Sequence, residues 1–129
     1  MAYEEIKQEC EQMQTILELC IPTDGNGAVS HATTLAAYMA RSGQLLADSK
    51  RLLRQKQVSE INKTIIAIAK EACLSAKVQN TLLASIADNE MYLVEWLDRI
   101  NASCVHSIDL CRSIISKEKE EMRIVKMGY

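Results

Sequence analysis

The residues of this chain with reactive or ligating side chains are few: two histidines, five cysteines and one dense run of bases. A carboxylate-bridged metal pair in a helical bundle needs Glu-x-x-His steps that put carboxylate and imidazole on one face. Neither His31 nor His106 has a glutamate three positions before it. Structural zinc needs closely spaced ligands, and the chain has no Cys-x-x-Cys and no histidine pair. Cys104 and Cys111 share a face, yet both fall on an apolar seam, where a thiol packs as a small hydrophobe. No metal or cofactor is therefore expected. For nucleophilic catalysis the one local candidate is His106 with Asp109, three residues apart on a helix surface. At about 100° per residue no cysteine points the same way, so the pair reads as a surface histidine beside an acid. A non-enzymatic protein is expected.

Two loop motifs fail on spacing. Counted from Asp24, a calcium loop would need glycine and glutamate where Val29 and Leu35 stand. A dinucleotide-type glycine loop would need glycine at Ser30 and a preceding strand. The stretch Thr23-Asp24-Gly25-Asn26-Gly27 is read as a turn, with only the generic anion affinity of the following helix start.

Lys50, Arg51, Arg54 and Lys56 form the most suggestive cluster, with no acid between Asp48 and Lys56. Lys50 and Arg54 share a helix face, so nucleic acid or a nucleotide could be held through phosphate. Bases also suit a helix C-terminus. In an antiparallel hairpin about Gly25, moreover, the acids Glu4, Glu5 and Glu9 would lie beside the cluster. Internal pairing is the preferred reading, because no aromatic or glycine-rich element accompanies these bases.

Helices must position all of these residues. Tyr3, Ile6, Cys10, Met13, Leu17 and Cys20 recur at steps of three and four and predict a first helix over 2–21, ended by Pro22. A second is expected from Ser30 as N-cap to about Gln55. It would bury Leu35, Tyr38, Met39, Leu45, Leu46, Leu52 and Leu53, with Ala36, Ser42, Gly43 and Ser49 allowing close approach. Ser59 is the next cap. From there Ile61, Ile65, Ile68, Ala72, Val78, Leu82, Leu83 and Ile86 continue the helical period. Breaks are signalled at Leu74-Ser75 and Asp88-Asn89, so 59–126 reads either as two helices with a reversal or as one kinked helix. The last helix, Asn89 to Lys126, carries the only tryptophan and a seam of Leu93, Leu97, Ile100, Cys104, Ile108, Cys111 and Ile115.

With 48% hydrophobic residues, one proline and four glycines in 129 residues, the composition is that of a single helix-rich domain over 1–129. The expected fold is all-α, a mainly antiparallel bundle of about four helices with a long C-terminal helix. No run approaches the ~18 apolar residues of a membrane span, and the N-terminus lacks the form of a signal peptide. A cytoplasmic protein with reduced thiols and no membrane partner follows. The net charge of −2 implies no polyionic partner by itself.

The last helix outruns its expected neighbours, which leaves Leu110, Ile114, Ile115, Met122 and Val125 as an apolar stripe. A helical interaction or assembly protein, a homodimer or higher or one that binds another protein, is the preferred function. The alternatives are a nucleic-acid or nucleotide-binding accessory protein using Lys50, Arg51, Arg54 and Lys56, and a bundle holding a small ligand against the small-residue face of the second helix.

Overall fold

The computed structural model describes residues 2–73 and 75–126, apart from the side chains of 60–62 and 82–86. Its elements are α1 (Tyr3–Leu17), α2 (Gly25–Gln57), α3 (Glu60–Glu71), α4 (Ala76–Ile86) and α5 (Asp88–Lys126), with no strand among the described residues. The chain is all-α, with five helices among the described residues where about four were expected.

The expected seam of α1 buries Ile6, Cys10 and Met13. The helix stops at Leu17, four residues short of Ile21, with Glu18 as its C-cap, whereas Pro22 directly restricts only Ile21. Ile21 packs against the core from the linking segment, while Cys20 leaves the seam and is exposed.

The second helix starts earlier than expected. Asp24, not Ser30, is its N-cap: Asp24 is extended, and its Oδ2 accepts from the Gly27 N–H at 2.7 Å. Of the residues read as a turn, Gly25 to Gly27 thus belong to the first turn of α2. Their glycines answer to crowding, since a Cβ on Gly25 would lie 2.7 Å from the Glu118 carboxyl group, and one on Gly27 2.7 Å from Asp24 Oδ1. Glu118 of α5 accepts a hydrogen bond from the Gly25 N–H, so a side chain from the far end of the sequence satisfies a free donor at the start of α2.

This contact and a second one set the register of the core. Asn101 Nδ2 donates to the Met39 carbonyl and to Ser42 Oγ, each at 3.0 Å. Gly25 therefore faces Glu118 and Ser42 faces Asn101, which makes α2 and α5 antiparallel. With 33 residues α2 is about 50 Å long and accompanies α5, with 39 residues, along all but roughly its last two turns. The extra turn and a half at the N-terminus of α2 gives α5 more cover than the expected 30–55 helix would have done. Ser42 and Ser49 are buried at this contact, whereas Ala36 and Gly43 are exposed and play no part in it.

The third core helix is α1. Tyr3 lies by Asp88, and Leu17 by Ser103 and His106, so α1 runs in the direction of α5. The common core is made by Ile6, Cys10 and Met13, by Ala28, Leu35 and Leu45, and by Leu93, Leu97, Ile100, Cys104 and Cys111. Ile108 and Ile115 pack against it, as the seam of the last helix requires.

Residues 59–86 resolve into two short helices. Ser59 has the extended backbone of an N-cap without a hydrogen bond from its hydroxyl to the helix. Cys73 takes the left-handed conformation, φ 55°, in the turn after α3, and Ser75 caps α4 by accepting from the Val78 N–H at 3.3 Å. Only Ala87 separates α4 from α5. In this pair Ala69 is buried, Ile68 and Val78 are exposed, α3 packs on α4, and α4 touches α2. Leu74 and the side chains of Ile61, Leu82, Leu83 and Ile86 lie outside the described residues.

Candidate functional site

The basic cluster occupies the last two turns of α2, with Lys50, Arg51 and Arg54 exposed and Lys56 half-buried. One of its expected partners is engaged elsewhere. Glu9 forms a two-pronged pair with Arg41, Nε to Oε1 at 2.9 Å and Nη2 to Oε2 at 2.8 Å. Among the described residues no salt bridge joins Lys50, Arg51 or Arg54 to an acid, and Arg54 Nε instead donates to the Lys50 carbonyl at 3.4 Å. The reason is register as well as rotation. With Glu9 opposite Arg41, Lys50 and the bases after it lie about 13 Å or more further along α2, beyond the start of α1 at Tyr3. Lys50 and Arg54 also stand roughly 180° and 220° round the axis from Arg41. The expected neutralisation by Glu4, Glu5 and Glu9 does not occur for these three bases.

The apolar stripe of α5 divides. Ile114 and Ile115 are half-buried and pack against the core, close to where Thr23 of the α1–α2 link meets Ile114. Leu110, Met122 and Val125 are exposed, Met122 by 55% and Val125 by 70%. Met122 and Val125 lie past Glu118, where α2 has not yet begun, and with Glu118, Glu121 and Lys126 they line a cavity of about 280 Å³.

His106 is exposed in a groove with Ser103 and Ser107, and the Asp109 carboxylate turns away to Arg112 at 3.4 Å. The five cysteines are unpaired; Cys10, Cys104 and Cys111 are buried, while Cys20 and Cys73 are exposed. Burial pushes the Cys10 thiol up to about 11, with Glu9 and Glu11 adding to the shift, and raises Cys104 and Cys111 as well. Among the described residues no group of three or more His, Cys, Asp or Glu is placed to hold a metal ion.

One feature escaped the sequence reading. Between the N-terminal halves of α1 and α5 runs a groove of about 570 Å³. Its aromatic lining is Tyr3, Tyr92 and Trp96, three of the five aromatic residues of the chain. Its charged lining is Glu11, Asp88 and Glu95, with Lys7 as the single base. The Trp96 indole N–H donates to Gln14 Oε1 at 3.1 Å, and Gln14 Nε2 in turn donates to Glu18 Oε1 at 3.1 Å. That relay orients the amide and fixes the indole. Tyr92 stacks obliquely on Trp96, ring centroids 5.7 Å apart at 54°, and remains 55% exposed. The signal was present as two i, i+4 stripes, Tyr3-Lys7-Glu11 and Asp88-Tyr92-Trp96, but each stripe alone reads as an ordinary solvated face.

Comparison of the chain with protein-family models, with characterised proteins and with solved structures finds no match. No helix among the described residues is long and apolar enough to cross a membrane.

Proposed function

We propose that this chain is a non-enzymatic helical interaction protein that associates with a second copy of itself through the distal end of α5. The supporting observation is the run of that helix past Glu118, where Met122 and Val125 continue the core seam with nothing from α2 over them. Apolar side chains in one row are costly in water, and a two-fold pairing of such rows is the commonest closed solution. An antiparallel crossing centred on Met122 also sets Lys126 of each helix against the acidic turn Glu118 to Glu121 of the other copy. Ile114 and Ile115 contribute from beneath by stiffening the helix against the core rather than by forming the contact. Light scattering tests this directly. The wild type is expected at twice the chain mass at tens of micromolar, and Met122→Glu with Val125→Glu at the chain mass. A wild type already monomeric there defeats the proposal.

A second reading, phosphate binding, is favoured by one observation: Lys50, Arg51 and Arg54 have no acid partner among the described residues and are exposed. Binding of a labelled double-stranded oligonucleotide is then expected at low salt, falling steeply as salt rises through counterion release. Arg51→Ala with Arg54→Ala should remove it. Absence of binding at low salt would leave the cluster as a solvated helix end that complements the dipole.

A further inference from the structure

We infer that the groove between α1 and α5 is a docking site for an arginine-containing peptide segment of a partner protein. Three carboxylates face one ammonium group there, with Arg99 just beyond Glu95, so the lining keeps a negative balance in a cleft with aromatic rings on both walls. A cation over the face of a tryptophan or tyrosine is attracted by the ring quadrupole. Guanidinium suits this lining better than ammonium, because it is planar, stacks on rings, and presents a fork that matches carboxylate. The exposed Tyr92 ring supplies the face, and Trp96 is already held still by Gln14, so ordering the site on binding costs little side-chain entropy.

The extent of the groove argues for a peptide rather than a free small cation. It follows α1 from Tyr3 to Glu11, about 12 Å, with Asp88 and Glu95 spaced along the facing helix. A single small ion would meet only part of this lining and leave the rest in water. An extended segment with bases at alternate positions meets successive carboxylates while its backbone stays solvated. The site lies at the end of α5 remote from Met122 and Val125, so it goes beyond self-association and is read separately from it.

The test uses the full chain and a fluorescein-labelled heptapeptide of alternating glycine and arginine, with the same peptide carrying neutral citrulline as control. Fluorescence anisotropy should rise with the arginine peptide, and unlabelled peptide should change the emission of Trp96, the only tryptophan. Citrulline, Glu11→Gln with Glu95→Gln, and Tyr92→Leu should each weaken binding by about tenfold or more. Tyr92→Phe, which keeps the ring, and Glu4→Gln with Glu5→Gln, which removes the same charge from α1 outside the groove, should stay within about twofold. Three results would overturn the assignment: no binding by the wild type, equal losses in the two glutamine pairs, or binding that leaves Trp96 emission and the Tyr92→Leu affinity unchanged.

Discussion

The cysteines show how a single residue type is sorted by where its helix ends. Cys10, Cys104 and Cys111 sit on seams that stay helical and buried, and there the thiol is held protonated by lack of solvation. Cys20 obeys the same spacing, but its helix stops at Leu17, and Cys73 sits in the turn between α3 and α4. Cys20 was expected on the seam of a first helix over 2–21, and both it and Cys73 are exposed. Since the thiolate is the reacting species, accessibility and ionisation act in the same direction. A disulfide reagent at neutral pH should therefore modify two thiols fast and the other three only on unfolding. Cys20→Ser with Cys73→Ser should abolish the fast phase. Rapid reaction of a third thiol in the native protein would show that the three-helix core opens more readily than its packing implies.

Among the elements, α2 carries glycines whose surroundings differ between its start and its middle. Gly43 is in the exposed middle of the helix, with open space where a Cβ would go. Gly43→Ala should raise stability by roughly 0.5–1 kcal/mol, through the lower entropy cost of fixing alanine in a helix. Gly25 is the contrary case, because an added methyl group displaces the Glu118 carboxylate from the N–H it accepts from. Gly25→Ala should lower stability by about 1 kcal/mol, less than the full value of a charged hydrogen bond because the glutamate can shift. Urea unfolding measures both. In a Glu118→Ala background the penalty at Gly25 should vanish, and a penalty that persists there would place its origin in the local backbone.

For the molecule as a whole, the decisive quantity is how much of α5 its own chain covers. The three-helix core accounts for the seam from Leu93 to Ile115, and Glu118 marks the point where α2 gives out. A shorter remainder, Met122 and Val125, is what self-association has to work with. If copies pair through it, native protein gains stability by mass action, so the melting temperature should climb with protein concentration. Met122→Glu with Val125→Glu should make it independent of concentration, and a wild-type midpoint that already ignores concentration argues for a monomer.

Periodicity alone determined the helical class, the seams of α1 and α5, and the near-exact start of the last helix, because a buried face must repeat at the helical period whatever it packs against. It also named Ser59 and the break near Ser75, where short polar side chains accompany the change of backbone direction. What it did not determine was every feature that depends on a second element. Asp24 displaced Ser30 as cap with Glu118 meeting the Gly25 N–H from 93 residues away, and the sequence around Gly25 contains nothing of that carboxylate. Glu9 found Arg41 instead of the basic cluster because the register of α1 along α2, together with rotation about the α2 axis, selects the partner. The aromatic groove exists only once α1 lies parallel to α5, since each helix by itself carries a stripe that water would solvate. Local free energies set where helices form; the facing of one helix to another is fixed by packing the core, and the sites between helices are consequences of that facing.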